Sequence, residues 1–309
     1  MSFNGEQWVV YEGKGKHIVF VSGDEEYRSE EALTLMAQIM SVRHGFKCTV
    51  LYAIDPETGV IDPVNQTNIP GLHNLESADM MVLSLRFREL PDEQMKYIID
   101  YTNAGKPVMG LRTATHAFNY TRNKDSVYAK YDFSSQEFPG GYGRQVFGET
   151  WVNHHGHHGK ESTRGVINGE VNDHPILKGV KDIWGTTDVY TITKLTGDPD
   201  VLVYGLVLVG MDPGDQPNYD KPIMPLAWVK NYTGELGKTS RIFCTTMGAS
   251  VDLKSEGLRR LLVNGCYWCM GMEDQIPECS NVDYVVEYEP LYFGFASHKK
   301  NVRPSDLKL

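Results

Sequence analysis

Four histidines fall within five positions of the segment WVNHHGHHGKES, residues 151–162. Imidazoles at this density can ligate a divalent metal, clamp a substrate or shuttle protons near neutral pH. Gly156 divides them into His154–His155 and His157–His158, and Gly159 follows. Those glycines argue against a helix, so ligation from i and i+4 of one helical face is not expected. Adjacent histidines rarely both reach one ion, so a metal site would draw from each pair. The candidate ligands are His154, His157 and His158, for zinc or manganese, with Glu149, Glu161 or nearby acids completing the set. His155 is a candidate proton-transfer group. A substrate clamp and a plain surface loop remain open as readings of the same stretch.

Stepping outward, alternating elements must position this loop. KHIVFVS (16–22) is a short β-branched run that predicts a buried strand. Ser29 then reads as a helix N-cap, with Glu30 and Glu31 in the first turn. Leu33, Met36, Ala37 and Met40 mark one apolar face, and Gly45 the stop. Strands follow at 47–53, 79–85 and 106–111. Between the last two lies a helix begun near Pro91, buried through Met95, Ile98, Ile99 and Thr102, and ended at Gly105. Strand, helix, strand, helix predicts crossover connections. The expected fold class is therefore α/β: a doubly wound, mostly parallel sheet with helices on both faces and ligands at the C-terminal strand ends. Further strand-like runs lie at 188–195, 201–209, 225–230 and 241–247, and a last helix at 255–272. Residues 1–15 read as an N-terminal extension and 16–272 as the α/β domain. Residues 119–164 read as an inserted loop over the pocket and 273–309 as a C-terminal arm.

VMGLRTATHAF (108–118) reads as strand, sharp turn, helix, the geometry of a nucleophile elbow. Glutamine amidotransferases of class I carry G-x-C-x-G there. This chain has Gly110-Leu111-Arg112-Thr113-Ala114. A guanidinium stays protonated and cannot attack a carbonyl. The expected late His-x-Glu is also missing, His174-Pro175-Ile176 being its nearest imitation. Acyl transfer through a thioester is therefore not expected. Together GDEEYRSEEAL, LRFRELPDEQM, GKPVMGLRTATHAF, HPILKGV, PLAWVKNY with RIFCTTMG, and LRRLLVNGCYWCMG carry a resemblance by their order and spacing, from about Lys16 to Gly271. The chain resembles the ThuA (trehalose utilization) family, a branch of the class I glutamine amidotransferase-like, flavodoxin-like fold that lost the catalytic cysteine. Many members have a histidine-containing elbow and D-E-L-Y after the HP segment. Here Arg112 and TTDVY (186–190) stand instead, with Asp188 and Tyr190 in partial match. The resemblance implies carbohydrate metabolism, often of disaccharides or their keto forms.

With that fold, several segments converge on one rim. The first strand delivers Glu25, Glu26 and Tyr27. The third delivers Arg86 and Arg88, whose spacing of two sends both to one side if extended. The elbow delivers Arg112, Thr113 and His116, and the late segment Asp188 and Tyr190. Expected catalytic residues are Glu26, Arg112, His116, His155 and Asp188. Expected substrate contacts are Glu25, Tyr27, Arg86, Arg88, Thr113 and Tyr190. The expected activity is proton abstraction next to a sugar carbonyl, giving isomerisation, epimerisation or elimination. A non-catalytic carbohydrate-binding protein is the alternative.

The bulk numbers narrow the partners. The 309-residue chain carries a formal net charge of −10 and no basic tract, so nucleic acid and anionic membrane surfaces are poor candidates. No apolar run approaches about 20 residues. The first residues show no signal-peptide core, so a cytoplasmic home is expected, a periplasmic one staying open if a leader was removed. Five cysteines at these spacings make no disulfide framework. Cys266 and Cys269 form a C-x-x-C read as helix packing. The aromatic tail, 282–295, is expected to cover its own sheet or to pair with a second copy in a homo-oligomer.

Overall fold

The computed structural model describes residues 5–309. Its strands are β1 (Trp8–Tyr11), β2 (His17–Gly23), β3 (Lys47–Tyr52), β4 (Met80–Leu85), β5 (Val108–Leu111), β6 (Thr163–Ile167), β7 (Trp184–Gly185), β8 (Asp200–Val207), β9 (Met224–Thr233) and β10 (Thr239–Thr245). The α-helices are α1 (Ser29–Val42), α2 (Asp92–Asn103) and α3 (Glu256–Cys269). All ten strands join one sheet, in the order β1-β3-β2-β4-β5-β10-β9-β8-β6-β7.

The expectation of a doubly wound, mostly parallel α/β sheet is overturned. Only the pairings β2–β3, β2–β4, β4–β5 and β5–β10 are parallel. The pairings β1–β3, β6–β7, β6–β8, β8–β9 and β9–β10 are antiparallel, so the sheet is mixed and antiparallel pairs are the majority. The reason lies in the connections. Parallel neighbours need a long crossover, whereas antiparallel neighbours can be joined by a tight turn. α1 links β2 to β3 and α2 links β4 to β5, but nothing helical separates β8, β9 and β10. The β9–β10 turn passes through Gly234 and Gly237, the latter at φ 71°.

Side chains alternate between two cores. Ile18, Phe20, Val50, Val82 and Met109 join α1 and α3 on one face. Val19, Val21, Met81, Leu83 and Val108 join α2 on the other. The predicted buried faces, Leu33–Met36–Ala37–Met40 and Met95–Ile98–Ile99–Thr102, are both buried. α2 leaves much of its sheet face open, and the insertion fills it: Tyr120, Tyr131, Tyr142, Val146 and Phe147 pack there with Trp228. A Cβ on Gly110 would stand 2.7 Å from the Phe147 ring, so β5 has room for glycine alone.

Several local expectations change. Ser29 is the first residue of α1 rather than its cap; Arg28 precedes it at φ 56°, and the Ser29 hydroxyl meets Ser22 and the Asp24 amide. Residues 188–195 form no strand and make one bridge, Tyr190 to His154. The N-terminal segment supplies edge strand β1, and β6 and β7 arise where no strand was foreseen. Cys266 and Cys269 are buried in α3 against the core. The arm runs back over its own chain: Lys299 pairs with Glu31 at 2.9 Å, the Ser250 hydroxyl donates to Leu291 O, and the Tyr11 hydroxyl donates to Leu307 O. Among the described residues no helix is long and apolar enough to cross a membrane.

Candidate functional site

The site lies beyond the C-terminal ends of β2, β4 and β5. Asp24, just past β2, holds the first turn. Its Oδ1 accepts from the Glu26 and Tyr27 amides, and its Oδ2 accepts from the Thr113 hydroxyl at 2.6 Å. Thr113 is thereby a buried tie between the ends of β2 and β5. Glu25 is clamped by the guanidinium groups of both Arg86 and Arg88. Arg88 is fully buried and also donates to the Pro63 and Asn65 carbonyls. Phe87 sits between the two arginines at φ 50°, so the segment is kinked rather than extended, yet both side chains still reach one carboxylate.

Arg112 occupies the elbow position at φ 47°, the left-handed backbone that such turns demand. It is wholly buried, so the expectation that it faces a ligand fails on geometry. Its Nη1 donates to the Asp188 and Thr246 carbonyls; its Nη2 donates to the Tyr27 hydroxyl and to Asp188 Oδ1 at 2.9 Å. Tyr27 and Tyr190 sandwich the guanidinium at 4.5 and 3.9 Å. Both tyrosines, expected to contact substrate, are buried in that stack.

Asp188 carries the charge outward from Arg112. Its Oδ2 lies 2.7 Å from His154 Nδ1 and its Oδ1 lies 3.1 Å from His158 Nδ1. Burial works against its ionisation, but Arg112 and the two imidazoles outweigh burial and hold the carboxyl well below the usual range. His158 Nε2 is 3.4 Å from Glu26 Oε1, and Glu26 Oε2 is 3.2 Å from Arg86 Nε. Burial pushes Glu26 up, against the pull of Arg86. The His154 and His158 side chains are 34% and 35% exposed, against 0% for Asp188, so the imidazoles form the open edge of a buried charge relay.

The loop is built to hold this arrangement. The His155 and Gly156 amides both donate to Val189 O, and the Thr191 amide donates to Asn153 O. Residues 153–156 are thus zipped to 188–191, which carry Asp188. A Cβ on Gly156 would fall 3.0 Å from Asp188 Cβ, so the close approach needs glycine. The same zipper turns His155 away, its Nε2 meeting Pro222 O at 2.8 Å. His157 also leaves the cluster: its backbone opens a turn to Lys160 and Glu161, and its ring is exposed. Glu161 is taken by Lys221 and Asn218, and Glu149 by Arg144 and Thr193, so neither completes a ligand set.

His116 is buried, and burial together with Arg86, Arg112 and His154 pushes its imidazole well below the usual range, so it stands neutral at the back of the site. Aromatic rings surround it. Phe87 and Trp151 are each 5.0 Å away, and Trp151 continues to Tyr190 and His154. From the arm, Phe293 packs on Tyr27 and His158, while Phe295 lies under Arg86. The Gly294 amide donates to Glu26 O at 2.7 Å. Trp151, Phe87 and Phe293 were not foreseen as site residues. Trp151 heads the histidine stretch and Phe87 stands between two arginines, so proximity in sequence was the available signal for those two.

No family model matches the chain, and no curated protein matches it by sequence. Solved structures do match it in shape, two ThuA-like proteins among them. A ThuA-like protein from Parabacteroides merdae superposes with a TM-score of 0.52 at 17% identity, covering 83% of this chain and 90% of its own. A ThuA-like protein from Bacteroides uniformis gives 0.50 at 12% identity, covering 82% and 91%. The fold is ThuA-like. At these identities the likeness is one of architecture, and the residues of the site have to be argued from this chain alone. Within the ThuA-like fold the elbow here is sealed by Arg112, the two imidazoles of His154 and His158 reach solvent, and Arg86 and the nearly buried Glu26 lie beside them.

Proposed function

We propose that this protein processes a carbohydrate that carries a carbonyl, a keto-glycoside or keto-disaccharide, by removing a proton from the carbon next to that carbonyl. The observation that carries the reading is the Glu26–His158–Asp188–His154 chain of contacts at an open edge, beside the rings of Phe87, Trp151 and Phe293. Aromatic rings suit the C–H faces of a sugar, and the charged groups suit its hydroxyl and carbonyl edge. The ThuA-like fold supports the sugar as substrate class.

In this reading Glu26 is the base. It takes the α-proton; the C–H electron pair forms the new carbon–carbon double bond, and the carbonyl pair moves onto oxygen as an enediolate. Arg86 and the imidazole edge offset that charge. Reprotonation at the neighbouring carbon gives isomerisation, and at the opposite face epimerisation. Expulsion of a β-oxygen, which leaves with a proton, gives elimination. Arg112 takes no part in these steps; it fixes Asp188. Incubating the protein with 3-keto-glucosides in D2O tests this, with NMR reading deuterium next to the carbonyl. Exchange is expected with the parent and a loss of at least about 100-fold with Glu26→Gln. Equal exchange in the variant, or none in the parent across the panel, overturns it. The sealed elbow favours a second reading, a sugar-binding protein without turnover, which predicts saturable binding and no exchange.

A further inference from the structure

We propose that His154, His158 and Asp188 form a site for a single divalent transition-metal ion, with Glu26 as the outer support of His158. The inference deepens the proposed function and rests on it for the role of the ion, but its geometry stands apart. One nitrogen from each histidine and one oxygen of Asp188 all lie within 4.8 Å of one another. Two imidazoles and a carboxylate are the donor set taken by zinc, manganese and iron(II), whereas magnesium and calcium favour oxygen alone.

Three features separate this cluster from a chance gathering of polar side chains. First, both histidines present the same nitrogen, Nδ1, to the same carboxylate, at 2.7 and 3.1 Å. Second, the remaining nitrogen of His158 faces Glu26 Oε1 at 3.4 Å, the carboxylate–histidine support that metal-bound imidazoles recurrently have. Third, the backbone zipper from 153–156 to 188–191 and the glycine at 156 set two of the three ligands before any ion arrives. Arg112 occupies Asp188 Oδ1, which leaves Oδ2 for the ion and gives Asp188 a fixed orientation. Both imidazoles are about one-third exposed, so an ion has a route in. Three protein ligands leave further positions for the two oxygens of an α-hydroxyketone. An ion there would offset charge on the enediolate oxygen.

The site departs from the set that spacing alone proposed. His157 drops out and Asp188 enters, and this makes the experiment specific. Tag-free, chelator-treated protein is titrated calorimetrically with Zn2+ and, separately, Mn2+, and with Co2+ while its visible absorption is followed. One ion per chain is expected, with affinity falling at least about 10-fold in each of His154→Ala, His158→Ala and Asp188→Asn. His157→Ala and His155→Ala are expected to match the parent. Should Asp188→Asn fail to fold, His158→Ala, on an open ring, still decides the matter. Absence of saturable binding below millimolar concentrations overturns the proposal, as does equal loss in His157→Ala. No sugar enters the titration, so its failure leaves the deuterium-exchange result standing, and the reverse also holds.

Discussion

The elbow after β5 and the histidine loop lie side by side, joined through one carboxylate, and are built in opposite ways. At the elbow the left-handed residue is Arg112, buried to zero exposure, with four hydrogen bonds to protein oxygens and a tyrosine on each face. At the loop, His154 and His158 keep a third of their surface in solvent and are both anchored on Asp188. A strand-end turn that elsewhere presents a nucleophile here serves as a buried lock, and the most open polar side chains beside it are the two imidazoles of the insertion. Complete burial, four hydrogen bonds and two flanking tyrosines mark Arg112 as structural even though its backbone has the shape of a catalytic residue's.

The largest effect expected from this contrast is at the lock. Arg112→Met removes the cation and leaves the Asp188 carboxylate buried without it, a change that costs about 3–5 kcal/mol of stability. Arg112→Lys should recover only part of that, because an ammonium cannot make the forked contacts to Asp188, Thr246 and Tyr27. Urea denaturation checks both. A Met variant within about 1 kcal/mol of the parent would mean that the elbow is not a lock at all, and the contrast with the loop would collapse.

A second buried pair sharpens the comparison by lacking what Arg112 has. Arg28 and Glu30, at the start of α1, approach only to 3.9 Å, and neither Glu30 oxygen accepts a hydrogen bond from another residue. Burial, only partly opposed by Arg28, raises Glu30 to about 7 from 4.5. The sign follows directly. Between pH 4.5 and 7 the folded chain keeps a proton that the unfolded chain has released, so stability falls as pH rises through that window. A shift of this size corresponds to about 3 kcal/mol at most. Glu30→Gln cannot titrate; it should match the parent below pH 4.5 and gain on it by about 2–3 kcal/mol above pH 7. Denaturation midpoints at pH 4 and pH 8 measure the difference. A gap independent of pH would show that Glu30 binds its proton equally well folded and unfolded, so that burial does not raise it.

Much of the parallel half of the sheet was legible in the sequence. β2, β3, β4 and β5 are short apolar runs, and α1 and α2 between them carry a 3.6-residue period with glycines past their ends. Strand direction was not legible for β8, β9 and β10, because alternation says nothing about which way a neighbour runs; the missing helices between them were the usable clue. The stretch 188–195 misled because Val189, Tyr190, Thr191, Ile192 and Thr193 favour extended backbone, and yet the segment is captured by the histidine loop for a single bridge. At the site, strand ends placed Glu26 and Asp188 on one rim with the histidine loop over it, but that Asp188 meets His154 and His158 while His157 stays apart did not follow from spacing. That Arg112 is sealed and that the arm returns to the site depend on contacts far apart in the chain, Arg112 with Asp188 and Tyr27 at separations of 76 and 85 residues and Arg28 with Gly294 at 266. No local pattern encodes those.

The smallest expected effect is the one that isolates function from folding. His158→Ala removes a ring that is one-third exposed, packs on Phe293 and touches Asp188 and Glu26. Asp188 keeps Arg112 and His154, and Glu26 keeps Arg86, so no buried charge is left alone. Stability should change by no more than about 0.5 kcal/mol, the range of a surface substitution. Metal affinity and deuterium exchange should both fall steeply. This is the reverse of Arg112→Met, in which stability falls first and any loss at the site follows from it. If His158→Ala instead unfolds with a loss comparable to Arg112→Met, the histidine loop is part of the lock, and lock and open edge are one structural unit.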